Sequence, residues 1–295
     1  MDIPHGPLIN KGVYKPAHFF GDNANETAIE IAGGFELKTI LSKFLFMDYC
    51  FCTIALRSPY RLLAKNLAED LNKYAPKVNL IIFSDEPDDF KDYQNILAFK
   101  YHQKGIPHCW NDRRFVVEKA LSMYRSAIHI DADTRIVANV PEQVEWLPGI
   151  TAMTDDLLQH AHEWMYAPDV KLMKNLGNKL KIPLEKAKLI HESLYIITRD
   201  DGRELEFLKQ WDIIARTLEL RGYTSSDGYL MGMAAQKVGL SINKYGWENL
   251  KNITNHFFAD NNRKPKTFWN KLQRKMNYSY RLNRARLTQI LHLET

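Results

Sequence analysis

The stretch Ile128-His129-Ile130-Asp131-Ala132-Asp133-Thr134-Arg135-Ile136-Val137 decides how this chain is read. Ala127 to Ile130 is a short apolar run of the kind that fills a buried strand, and two aspartates follow it at once. If the backbone stays extended there, Asp131 and Asp133 share a face about 7 Å apart along the chain, close enough to grip one divalent ion. Hard cations such as Mn²⁺ and Mg²⁺ take carboxylate oxygens and keep positions open for phosphate oxygens. A solvated turn after a strand would use the same two residues.

The surroundings of this run alternate strand and helix. Cys50 to Leu56 is an apolar strand, and Ser58-Pro59 offers a cap and a first-turn proline for the helix that follows. Its apolar positions Tyr60, Leu63, Leu67, Leu71 and Tyr74 step by three or four and stop at Pro76. Val78 to Phe83 is the next strand. Such a βαβ unit implies a parallel sheet. Downstream, Asn111-Asp112 is read as the cap of a helix to about Arg125. Ile150 to Thr154 and Leu189 to Thr198 are strands, Arg203 to Leu220 is a helix, and Ser225 or Ser226 caps another through Val238. Leu240 to Asn243 closes the series. The expected fold is therefore α/β, a mainly parallel central sheet flanked by helices in one catalytic domain spanning residues 49–262. Residues 1–48 form a lead-in punctuated by Pro and Gly, and residues 263–295 a C-terminal extension.

Ligands of parallel α/β sheets bind outside the carboxyl ends of the strands. By that rule Asp85, the Asp131–Asp133 pair, and Asp155 with Asp156 follow three strands onto one rim. Asp227 falls in the first turn of a helix, where exposed N–H groups favour an anion, so a capping role and a chemical role both fit it. Arg113 and Arg114 head a helix start, with planar charged groups suited to phosphate oxygens. Cys50 and Cys52 alternate along a strand and are read as packing. His102, His108, His160 and His162 show no ligand pattern and are read as surface residues.

The 295 residues are 45% apolar, 25% charged and 12% aromatic, which excludes disordered, collagenous and repeat proteins. Three cysteines are too few for a disulfide scaffold and point to a reducing compartment. The segment from Thr39 to Leu56 is broken by Lys43 and Asp48, too polar to span a membrane, and Met1-Asp2-Ile3-Pro4 has no signal-peptide character. A cytoplasmic protein is expected, with peripheral attachment to the inner face of a membrane. Nine of the 40 Lys and Arg but one of the 35 acids lie in residues 263–295, so that segment carries +8 and the rest −3. Its cations interleave with Phe268, Trp269, Leu272, Met276, Tyr278 and Tyr280. That mixture suits an anionic membrane surface first and nucleic acid second, and a helix packed on its own domain accounts for it as well.

The run from Ile128 to Val137 resembles the Asp-x-Asp strand of GT-A glycosyltransferases, especially the retaining family that contains glycogenin and lipopolysaccharide galactosyltransferases. Arg114, 17 residues before Asp131, stands where that family has an arginine contacting the nucleotide-sugar. Ile54-Ala55-Leu56 with Tyr60 resembles its nucleoside-binding first strand, and Ile82 to Pro87, with Asp85, resembles the second strand of the blood-group A/B transferase family. The resemblance implies that Asp131 binds ribose and metal, that Asp133 ligates the metal, and that His256 is a third ligand ahead of Lys264-Pro265, where Lys264 meets phosphate. The spacing to Trp269 is longer than in the family and its glycine is missing. Asp227 falls on the catalytic acid of the blood-group family, one methylene shorter. Glu192 lies on a strand that resembles the one contacting sugar and acceptor, and Asp156 is the acid that orients the donor sugar.

The activity so implied is Mn²⁺- or Mg²⁺-dependent transfer of a hexose from a UDP-sugar to a saccharide or glycolipid acceptor, with retention of configuration. A sugar-nucleotide pyrophosphorylase is the alternative enzyme, although Arg57-Ser58-Pro59-Tyr60 carries no glycine for a phosphate loop. A non-catalytic module that binds lipid or nucleic acid through the basic tail is the alternative of another class.

Overall fold

The computed structural model describes residues 48–141, 146–257 and 267–293, all within the compact unit formed by residues 47–295. The expected lead-in, apart from Asp48, and Lys264 lie outside the described residues.

A seven-stranded sheet runs in the order β3-β2-β1-β4-β7-β6-β8. Its parallel half comprises β1 (Tyr49–Ala55), β2 (Leu80–Ser84), β3 (Ile96–Lys100) and β4 (Ser126–Ile130), all pointing the same way. Beyond it, β7 (Lys188–Thr198) runs against both β4 and β6 (Gly149–Asp156), and β6 pairs parallel with β8 (Ile242–Asn243). Alternation along β1 supplies both faces: Cys50 and Cys52 enter one apolar cluster, Tyr49 and Phe51 the other. The first cluster is closed by α2 (Arg113–Leu121), α5 (Arg203–Glu219) and α6 (Gly228–Val238), with α3 (Leu157–Trp164) and α4 (Ala167–Leu180) beside them. Helix α1 (Ser58–Tyr74) closes the second cluster with Ala64, Leu67, Ala68 and Leu71. A short α7 (Trp247–Lys251) leads into β9 (Thr254–His256), which pairs antiparallel with β5 (Thr134–Ile136). The C-terminal helix is α8 (Phe268–Leu293).

Three local expectations are corrected. Ser58 does not cap α1: the cap position is Arg57, with φ 74°, and no side chain caps that end. Helix α2 stops at Leu121, short of Arg125. Asp227 stands at the cap of α6 without making a capping bond, and the Ser226 hydroxyl accepts the Gly228 N–H instead (3.1 Å). A side-chain capping role therefore does not account for Asp227.

Helix α6 lies directly on β7. A Cβ at Gly232 would sit 1.9 Å from the Lys188 carbonyl oxygen, and one at Gly228 2.3 Å from that of Ile190. Only glycine permits this approach, and it brings Asp227 beside Glu192.

Candidate active site

The chain turns sharply where β4 ends. The Asp131 N–H continues the ladder to Ser193 (3.0 Å), and the Thr134 N–H closes a turn back on the Asp131 carbonyl (3.0 Å), which starts β5. In the β5–β9 ribbon Thr134 faces His256, and the Phe257 N–H reaches the Asp133 carbonyl (3.1 Å). This ribbon delivers His256 to the two aspartates from a point 123 positions after Asp133 in the sequence. One ligand atom from each of Asp131, Asp133 and His256 lies within 4.8 Å of the others. The His256 Nδ1 is 3.0 Å from the Thr134 hydroxyl and 3.8 Å from Asp133 Oδ1. Two carboxylates and an imidazole, all partly exposed, form a donor set that fits a divalent cation with positions left for other ligands.

Arg113 is the counter-charge at this centre. One of its terminal nitrogens donates to Asp131 Oδ1 (2.7 Å) and the other to Asp227 Oδ1 (2.8 Å). Burial works against its charge, but Asp131, Asp227 and Glu192 hold it protonated, with its pKa well above the ordinary value. Burial also raises Asp131, with Arg113 opposing and the Asp133 carboxylate adding to the rise. Asp227 is fully buried, and its Oδ2 has no hydrogen-bond partner among the described residues. Burial pushes it up to about 7 despite Arg113, with Glu192 and Asp131 pushing the same way. The helix N-terminus does not keep it an ordinary anion. Beneath the site, His129 is packed face to face with Tyr195 (centroids 4.8 Å) and is held neutral by burial and the nearby Arg113.

The remaining candidates divide. Glu192, half-buried on β7, accepts from the Ser226 hydroxyl (2.8 Å) and lines a cavity of about 360 Å³. Ile54, Ala55 and Leu56 bring β1 to the carboxyl rim, with Ala55 and Leu56 buried. Tyr60 packs against the α1-side cluster. Asp85 accepts the Arg57 N–H on both oxygens (3.0 Å each) and the Arg61 guanidinium (2.8 Å). Burial alone would raise its pKa, but these bonds hold the carboxyl below its usual range. Asp156 caps α3 by accepting the Gln159 N–H (2.9 Å). Arg114 is turned away: its side chain is 2% exposed, and its Nε donates to Asp212 of α5 (2.7 Å). Adjacent helical residues point about 100° apart, so only one arginine of the pair can meet Asp131, and it is Arg113. The sequence carries no signal that separates them, since Arg113 is in step with the buried Val116, Val117 and Ala120, and Arg114 with the buried Val117 and Leu121.

No model of a known protein family matches the sequence, and no curated protein matches it. Among solved structures, the chain is similar to the WbbM bifunctional glycosyltransferase in its apo form, at 12% identity and a TM-score of 0.44. The match covers 66% of this chain and 38% of that one, so this chain spans less than half of the length of the structure it resembles.

Proposed function

We propose that this protein is a metal-dependent glycosyltransferase of GT-A type that moves a hexose from a UDP-sugar to a saccharide or lipid-linked acceptor with retention of configuration. The observation that carries the reading is the convergence of Asp131, Asp133 and His256 at the end of β4, next to Arg113. Asp131, Asp133 and His256 would hold the cation, and the imidazole in the set favours Mn²⁺ over Mg²⁺. When bound, the ion supplies Lewis-acid neutralisation of the departing diphosphate. Arg113 keeps the Asp131 carboxylate fixed and offsets its charge before any ion arrives. Glu192 is the carboxylate open to an acceptor. Asp227, sealed from solvent, acts through Arg113 and Glu192 as a positioning residue and not on a substrate.

The test is a thermal-shift titration of the protein with UDP-sugars, with and without Mn²⁺. Native-state ligands raise apparent stability, so a metal-dependent rise in Tm is expected, and Asp133→Asn abolishes it. A donor-dependent rise that is identical in Asp133→Asn overturns the metal assignment. NMR of the product anomer decides retention against inversion.

We propose further that α8 lies on an anionic membrane surface. Phe268, Trp269, Leu272, Met276, Tyr280 and Leu287 are all exposed, and at about 100° per residue they occupy one arc of the helix. The opposite face is the one that docks: Tyr278, Arg281, Leu282 and Ala285 are half-buried, and the Arg286 guanidinium donates to the Leu220 carbonyl (2.8 and 3.0 Å). The helix holds six Lys and Arg and no acid, which complements lipid phosphates. Among the described residues no helix is long and apolar enough to cross a membrane. Co-sedimentation with phosphatidylcholine vesicles is expected only when phosphatidylglycerol is included, and Trp269→Ser with Met276→Ser weakens it at least about tenfold. Preference for an oligonucleotide over the anionic vesicles overturns this assignment.

A further inference from the structure

The cavity beside Glu192 is built from three elements that the metal centre does not use. Helix α3 contributes His160 and Trp164, β7 contributes His191 and Glu192, and the start of α6 contributes Ser226 and Tyr229. Its polar atoms are already held in place. The Tyr229 hydroxyl and His160 Nδ1 share a hydrogen bond of 2.6 Å, His191 Nε2 meets Asp155 Oδ2 at 2.7 Å, and Ser226 donates to Glu192 at 2.8 Å. The rings are close as well, His160 lying 5.7 Å from Tyr229 and 6.3 Å from both Trp164 and His191 between centroids. Trp164 is 76% exposed at this wall, the most exposed large apolar side chain among the described residues. A tryptophan left in water beside a preorganised polar cavity is a flat apolar platform waiting for a partner with one apolar face.

Charge narrows that partner. Among the described residues no Lys or Arg lines the cavity, while Glu192 and, behind His191, Asp155 supply carboxylates. A phosphate, a nucleotide or an acidic sugar would face the Glu192 carboxylate there with no lining cation to receive its charge. A lipid chain would cover the Glu192 carboxylate and the polar wall around it without offering either a hydrogen bond. A neutral pyranose satisfies both surfaces: its C–H face covers the indole, and its hydroxyls donate to Glu192 and exchange hydrogen bonds with the histidines and Tyr229.

We infer that this cavity binds the neutral sugar ring of the acceptor, with Trp164 as the stacking platform and Glu192 and His191 reading its hydroxyls. This rests on the glycosyl-transfer reading, since Glu192 joins the cavity to Asp227 and Arg113. Trp164 and His160 are then specificity residues, His160 contrary to its reading as a surface histidine.

Saturation-transfer NMR on the full chain tests it with a probe set of the methyl glycosides of glucose, galactose, mannose and N-acetylglucosamine, alongside glucose 6-phosphate and choline. At least one neutral glycoside is expected to give signal and to quench tryptophan fluorescence. Trp164→Ala, an exposed and structurally undemanding change, should weaken that binding about tenfold. In the same variant the Tm rise given by UDP with Mn²⁺ stays at the wild-type value. Absence of binding by every neutral glycoside, binding undiminished in Trp164→Ala, or preference for choline or glucose 6-phosphate would each overturn the inference. If UDP and Mn²⁺ stabilise the protein while no glycoside binds, the cavity assignment fails alone. If glycosides bind and UDP does not, the transferase reading fails and takes the acceptor role with it.

Discussion

Arg113 holds one guanidinium between Asp131 and Asp227, and its removal strands a carboxylate in the interior. Breaking such a pair costs about 3–5 kcal/mol, because the charge left behind has no compensation. Arg113→Met should lower urea-unfolding stability by that order at pH 8, and adding Asp227→Asn should return part of it. A single variant as stable as the wild type would show that the bridge holds nothing. Asp227 adds a pH dependence of known sign. Its folded pKa of about 7 lies above the ordinary 3.8, so the folded protein keeps a proton that the unfolded chain has released. The stability this brings is complete below pH 3.8 and is lost as pH rises through 7, about 2 kcal/mol between pH 5 and 7. Asp227→Asn should flatten that part of the stability profile, and an unchanged slope would place the proton elsewhere. Sequence showed the acids here but not their guanidinium. Arg113 and Arg114 are chemically equal neighbours, and helix phase, which spacing to Asp131 does not reveal, decides which of them enters the site.

The connections between elements show a similar division. The stripe Leu67, Leu71 and the apolar runs of β1 and β4 were legible because burial imposes a period on them. The two three-residue strands β5 and β9 are too short for any period, so the ribbon that carries His256 could not be read from pattern. The loop after β1 is another case. Arg57 sits at φ 74°, costly for a residue with a Cβ, and its N–H is held by Asp85 from the end of the next strand. Asp85→Ala should therefore destabilise the protein by about 1–3 kcal/mol in thermal or urea unfolding. A full loss of donor binding with unaltered stability would instead make Asp85 a ligand contact without a structural share. Where α6 crosses β7, Gly232→Ala forces backbone apart, since the atom in the way is the Lys188 carbonyl oxygen. It should cost at least about 1–3 kcal/mol and separate Asp227 from Glu192.

If the proposed cation binds, its affinity depends on groups remote from it, because Asp131, Asp133 and His256 come from two segments that are held together by structure alone. Asp70, buried on α1, accepts both Nε and a terminal nitrogen of Arg135 (2.5 and 2.6 Å) and the Ile136 N–H (3.0 Å). It thereby fixes β5, which aligns β9 and so sets His256 against Asp133. Binding of the proposed cation would draw on that whole chain of contacts, and its free energy would appear as stability of the fold. With Mn²⁺ at about a hundred times its dissociation constant the gain is about 2.7 kcal/mol, or about 5–10 °C in Tm for a domain of this size. His256→Ala should remove most of the rise by deleting a ligand. Asp70→Asn deletes none, yet by loosening the ribbon it should raise the Mn²⁺ concentration needed for half the shift about tenfold, measured against its own metal-free Tm. A titration midpoint in Asp70→Asn equal to the wild type would mean that Thr134 and the Phe257 N–H suffice to hold His256 in place, and that the ribbon, not its anchor on α1, is the unit that builds the site.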